Sequence, residues 1–157
     1  MSYIDKGREP KLLFPALAPF YRDFAVLSWP LIRATAGVIL LVHGWGKISG
    51  GVLAGIQGFA TGSLARRGIE PAFLFATIVI LLETVGAICI TIGLFTRPIA
   101  AALVIEFMVI IWVHAPRGFG WFTGGWEFPL FWCLIFLAIA LRGGGPYSVD
   151  RNLGKEV

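Results

Sequence analysis

A carboxylate stands at the midpoint of an unbroken apolar run. Glu83 lies within AFLFATIVILLETVGAICITIGLF, residues 72–95, a stretch long enough to cross a bilayer as a helix. A charge at that depth costs a few kcal/mol or more, so a chain that keeps one must pair it or use it. Two further ionisable residues, Arg33 and Glu106, also interrupt apolar runs. Counting helical rise from the cytoplasmic ends of the runs places Arg33 about 13 Å deep, Glu106 about 12 Å and Glu83 about 18 Å. The three therefore share one level and can meet in the core of a bundle. An arginine between two carboxylates keeps both ionised and hydrogen-bonded. Such a centre is either an interhelical clamp without chemistry, or a quinone head-group site or proton relay. The shared depth predicts that Arg33 pairs with Glu83, with Glu106 close by or facing a partner subunit.

A second constellation marks the other ends of the helices. His43, His114 and Glu127 fall at outer helix ends near Lys47 and Arg117, among Trp45, Trp112, Trp121 and Trp126. The tryptophans alone read as an interface belt. Two histidines from facing helices beside a carboxylate can relay protons, contact a quinone carbonyl or bind a metal, or they can be satisfied interfacial polar groups. No HxxxH or ExxH spacing puts two ligands on one helical turn, so no metal site is assigned. His43, Lys47, His114, Trp126 and Glu127 are the candidate ligand- or partner-contact residues. No residue is assigned as catalytic, because no nucleophile–base pair and no cofactor motif is present.

The elements that position these groups follow from composition. The chain has 157 residues, of which 57% are apolar and 14% charged, against about 25% charged in a soluble domain. The predicted fold is all-α, an integral membrane four-helix bundle. Its spans run from about Phe24 to Trp45, Ala72 to Phe95, Pro98 to Ala115 and Trp126 to Leu141. Thr96–Arg97 is the break between spans 2 and 3, which makes these two a tight antiparallel hairpin. Between spans 1 and 2, Val52, Ile56, Phe59 and Leu64 recur at roughly helical spacing and predict a short interfacial helix. Residues 1–23 form a cytoplasmic amphipathic arm with Pro10, Pro15 and Pro19, whose Leu12, Leu13, Phe14 and Phe20 suit a membrane surface; 24–142 are the membrane domain and 143–157 a cytoplasmic tail.

Orientation follows the basic residues. Lys6, Arg8, Lys11, Arg22, Arg97, Arg142, Arg151 and Lys155, eight in all, fall on one side; Lys47, Arg66, Arg67 and Arg117, four, fall on the other. Both termini are thus expected in the cytoplasm, with no cleaved signal peptide. The net charge of +4 lacks the basic stripe of a nucleic-acid binder. Cys89 and Cys133 form no CxxC pair and read as small packing residues.

At these residues the chain resembles the DoxX-like family of four-span membrane proteins. The resemblance runs from Arg33 and LLVHGWGKI (residues 40–48) through GFA (58–60), Glu83 with Gly86, GLFTRPIAA (93–101), His114 and GGWEFPL (124–130) to GPYSVDR (145–151). One branch, DoxD, is similar to the membrane subunit of thiosulfate:quinone oxidoreductase, and other members work beside soluble redox enzymes. The resemblance implies a membrane subunit of a quinone- or sulfur-linked redox system in a bacterial-type inner membrane. It implies no intrinsic cofactor, a quinone as ligand, and a membrane protein partner or a second copy. Two other classes fit the same pattern: a non-catalytic accessory subunit packed in a larger complex, and a small-solute permease working as an oligomer.

Overall fold

The computed structural model describes residues 12–154. Lys6, Arg8, Pro10 and Lys11 of the arm and Lys155 of the tail lie outside the described residues. Every regular element among the described residues is helical: α1 (Ala18–Phe24), α2 (Ser28–Ile48), α3 (Val52–Phe59), α4 (Ala72–Leu81), α5 (Ala87–Ile92), α6 (Thr96–His114), α7 (Glu127–Arg142) and α8 (Val149–Leu153), joined by short 3₁₀ and π turns. Three helical stretches are long and apolar enough to cross a membrane: Pro15–Ile48, Ala72–Ile92 and Thr96–Arg117.

The first of these is longer than its apolar run suggests, because the arm continues into it. Pro15 opens a 3₁₀ turn, where a missing N–H is no loss, and helix persists through α1 into α2. Leu13, Phe14 and Phe20 are exposed. The second stretch starts at Ala72, where the apolar run starts, and is a single rod made of α4, a π turn (Leu82–Gly86) and α5. It ends at Gly93, whose φ of +74° suits glycine. The turn to α6 is therefore Gly93–Phe95, and Thr96 and Arg97 belong to the helix rather than to the break.

The α7 helix has 16 residues. At 1.5 Å per residue it is about 24 Å long, shorter than a full hydrocarbon core. It nonetheless runs antiparallel along α6. Near one end the Arg97 guanidinium donates to the Leu141 carbonyl at 3.0 Å, and in the middle the Cys133 thiol donates to Val104 O at 3.8 Å. Phe107, Trp132 and Phe136 stack at that seam, with ring centroids 5.4–6.4 Å apart.

Glycine sets the closest approach in the bundle. A Cβ at Gly37 would stand 2.3 Å from Thr91 Oγ1, and one at Gly44 would stand 2.3 Å from the Glu83 carbonyl. Seven residues apart, these two glycines bring the α2 backbone directly onto the α4–α5 rod, as small residues do in membrane bundles. The segment after α2 is helical too, from Val52 to Arg67 with a π turn in its middle. Its buried face is Ile56, Ala60 and Leu64, and it packs on Ala72, Ala76 and Ile80 of α4. Ile80 lies eight residues, or about 12 Å, into α4. The segment thus covers nearly the whole length of α4, the first half of the α4–α5 rod.

The opposite end of the bundle is closed by the segment from Arg142 to Asp150. Trp29 Nε1 donates to the Gly143 carbonyl at 3.0 Å, and the Arg142 guanidinium sits 4.5 Å over the Trp29 ring. Asp150 reaches the α5–α6 turn. Its carboxylate accepts from the Phe95 N–H (2.8 Å), the Thr96 N–H (2.9 Å) and the Thr96 hydroxyl (2.7 Å), while its own N–H donates to Gly93 O (2.9 Å). It thereby caps the N-terminus of α6 from a distant part of the sequence. Burial raises the Asp150 carboxyl, but the Thr96 and Phe95 donors and the field of Arg33 outweigh it and hold the group below the usual carboxylate range.

Gly93 is the pivot of this end. A Cβ there would stand 2.1 Å from Arg33 Nη1 and 2.5 Å from Ser148 Cβ, in a left-handed backbone. Gly93→Ala should destabilise the protein by about 2 kcal/mol or more, read as a lower melting temperature in detergent. Gly58→Ala, where a Cβ meets open space, is the matched control.

Candidate functional site at the outer half of the bundle

The site is built on the π turn Leu82–Gly86. An inserted residue in a helix re-aims its side chains and leaves a carbonyl for another donor; here the Thr84 hydroxyl donates to Ile80 O at 2.6 Å. The turn buries Glu83, which is 5% exposed. Across from it, Gly44 lets α2 touch the Glu83 backbone, and one turn further on Lys47 Nζ pairs with Glu83 Oε2. The direction is set by helix geometry. Side chains lean toward the N-terminus of their helix, so a lysine near the outer end of α2 reaches inward. The Lys47 ammonium also lies 5.4 Å from the centroid of the Phe59 ring.

Glu106 on α6 completes the centre. It is 8% exposed, and the charges of Glu83 and Lys47 both act on its carboxyl. Neither carboxylate oxygen meets a donor among the described residues; its polar neighbour is the Glu83 carboxyl, which can share a hydrogen bond with it when one of the two is protonated.

Two cavities meet at these residues. The larger, of about 580 Å³, lies between the Phe59–Arg67 stretch, α4 and α6, with Lys47, Glu83, Glu106 and His114 in its wall, Ser63 and Arg67 on the side of the Phe59–Arg67 stretch, and aliphatic and phenyl side chains elsewhere. Ile105, 65% exposed, and Val109, 43% exposed, stand at its edge on the apolar outside of α6. The smaller, of about 360 Å³, lies between α2, α6, α7 and the α6–α7 loop, and includes His43. Glu83, Ile110 and His114 border both. The His114 ring is fixed by its Nδ1, 2.8 Å from Ile110 O. A carbonyl only accepts, so Nδ1 carries the hydrogen and Nε2 is left as the free position.

The family model for DoxX matches residues 28–116, more than half of the chain and all of the residues just described. The chain belongs to the DoxX family. No curated protein and no solved structure matches it.

Within this DoxX chain the sequence-derived site residues sort into two groups. Glu83, Glu106, Lys47, His43 and His114 converge on the two cavities. Arg33 does not join them. Its Nη1 donates to the carbonyls of Ile90 (3.0 Å) and Thr91 (3.2 Å), its Nη2 to Tyr147 O (3.1 Å), and its charge acts on Asp150 rather than Glu83. The expected Arg33–Glu83 pair is absent for a geometric reason. Arg33 is only five residues, about 8 Å, into α2, and its side chain leans back toward the start of that helix. Glu83 is about two turns further out. Trp126 packs edge-on to Phe119 with centroids 4.8 Å apart, and Glu127 accepts the Trp121 N–H at 3.1 Å, so both hold the α6–α7 loop and neither lines a cavity.

Asp150 and the pairing of Lys47 were missed from sequence. The signal for the first was available: a buried Arg33 leaning toward the arm needs an acid at that end, and Asp150 in the tail is one. Glu83 and Glu106 carry two carboxyl groups and Lys47 one positive charge.

Proposed function

We propose that this DoxX protein is a four-span membrane subunit of a quinone-linked redox system, and that the larger cavity holds the quinone head group. Four spans follow if α7, which matches α6 in antiparallel register from Arg97–Leu141 to Val104–Cys133, crosses the same thickness. The excess of Lys and Arg in the arm, the α5–α6 turn and the tail then places both termini in the cytoplasm, in a bacterial-type inner membrane.

The observation that carries the reading is Glu106, a buried carboxyl beside Glu83 that meets no donor among the described residues, in the wall of a mostly apolar cavity. A volume of about 580 Å³ suits a small-molecule site. A ligand reaching it past Ile105 and Val109 arrives from lipid, so it has an apolar body and a polar head. Arg67 is at the solvated rim, bonded to Ser63 O; in the buried part, charge balance asks for one proton on the two carboxyl groups beside one ammonium. Such a trio donates to a quinone carbonyl and accepts from a quinol hydroxyl. Reduction of the quinone takes two electrons and two protons. The electrons come from a redox partner protein; the carboxyl pair hands over protons one at a time and is reloaded.

The test is equilibrium binding of a short-chain ubiquinone to the protein in lipid nanodiscs. Saturable binding is expected, weakened tenfold or more by Glu106→Leu, the loss of one charge-assisted hydrogen bond, and abolished by Ile105→Trp, which fills the cavity. Absence of saturable binding, or binding indifferent to both substitutions, overturns the proposal.

A further inference from the structure

We infer that the smaller cavity is a proton inlet, leading from the outer aqueous face to the carboxyl pair that the larger cavity presents to lipid. The inference deepens the proposed function, which supplies the destination of the protons, but the route stands on geometry of its own. The two cavities lie on different flanks of α6 and share Glu83 and His114. One flank is bounded by α3 and α4 and edged by apolar outside residues. The other takes Trp121, Gly124 and Gly125 into its wall, so it extends from the centre of the bundle to the loop beyond the helix ends. Its volume of about 360 Å³ has room for roughly ten waters at about 30 Å³ each.

The titratable groups in its wall are His43 from α2, Glu83 from the π turn and His114 from α6; the loop and α7 contribute aromatic, proline and glycine residues only. His43 is exposed and faces the outer end, whereas Glu83 is buried at the inner end. This is the order a relay needs. A proton from bulk water passes to His43, the exposed member, then by cavity water and the free Nε2 of His114 to Glu83, and from Glu83 to Glu106. No bond other than O–H and N–H forms or breaks, and each proton that leaves Glu106 for a bound head group is replaced by one from the outer face. The proton does not cross the lipid-facing cavity, so water need not follow the ligand's path.

The experiment needs no quinone. The C=O stretch of a protonated carboxyl group shifts when its hydrogen exchanges for deuterium, and infrared spectroscopy of nanodisc-embedded protein under D₂O perfusion follows that exchange. The band is assigned by its loss in Glu106→Gln or Glu83→Gln. His43→Leu and, independently, Ile39→Trp, which fills the smaller cavity, should each slow the exchange tenfold or more. Phe75→Trp, which fills the larger cavity, should leave the rate at the parent value. A parent protein without a protonated carboxyl band, or parent-like exchange in both His43→Leu and Ile39→Trp, overturns the inlet. Slowing by Phe75→Trp alone also overturns it, because protons then enter from the lipid flank. Failure of quinone binding with the exchange pattern intact removes the proposed ligand and leaves the inlet standing.

Discussion

A Lys47→Met chain should be less stable than its parent by about 3–5 kcal/mol, the usual consequence of removing one partner of a buried pair. At roughly 2–4 °C per kcal/mol for a chain of this size, the melting temperature in detergent should fall by about 10 °C. The pair of Lys47 with Glu83 is deep, with Glu83 5% exposed, and a second carboxyl stands beside it. Without the ammonium, two buried acids face a mostly apolar cavity whose remaining cation, Arg67, is exposed at its rim, and methionine fills the lysine stem without replacing the charge. The informative companion is Lys47→Met with Glu83→Leu. Removing both partners leaves one neutral acid in an apolar wall, and most of the lost stability should return. If the double variant is no more stable than Lys47→Met alone, the pair does not hold the π turn in place. Ubiquinone binding should be lost in both, which separates stability from ligand recognition.

The second large effect belongs to the opposite end. Asp150→Ala removes three accepted hydrogen bonds, two of them from Thr96, the first residue of α6, and takes from Arg33 the acid whose charge acts on it. The expected cost is about 3–5 kcal/mol, since donors to a charged group are left buried. The sign of its pH dependence follows from the lowered carboxyl. A depressed acid stabilises the fold above its unfolded value of about 4, and that contribution is lost as pH falls through the folded value. The difference in melting temperature between the parent and Asp150→Asn should therefore be constant near neutral pH and shrink as the pH is lowered below about 4. A difference that grows on acidification would falsify the assignment of Asp150 as an ionised cap.

What was legible in the sequence divides along one physical line. Apolar runs locate helices well: α4 begins at Ala72 and α7 within a residue of the expected start, because hydropathy and helical rise are properties of the backbone path. The segment Val52–Arg67 was legible as helix from its periodic apolar residues, although it packs along nearly all of α4 rather than only skirting the bundle. Pairing was not legible, because it depends on where long side chains reach. Arg33 and Lys47 each lean toward the N-terminus of α2. That tilt carries one toward the helix start and the other into the core, so the cation expected in the centre lies at the end and the one expected at the end lies in the centre. The π turn at Leu82–Gly86 left no mark in the apolar pattern either, since it adds a residue without changing composition.

The clasp at the Arg33 end also orders biosynthesis. The Arg33 and Tyr147 positions are 114 residues apart in the chain, and the Asp150 carboxylate caps a helix that begins more than fifty residues before it. At about 5–20 residues per second of synthesis, α2 and the start of α6 wait several seconds for their partners to be made. Until Tyr147 and Asp150 leave the ribosome, Arg33 Nη2 and the N–H groups of Phe95 and Thr96 lack their partners. That end therefore closes only after α7 has been made. A chain cut short just after α7 would carry the helices α1 to α7 and still expose an arginine held by the Ile90 and Thr91 carbonyls alone, a mark by which a cell's quality-control proteases could tell an unfinished copy from a finished one.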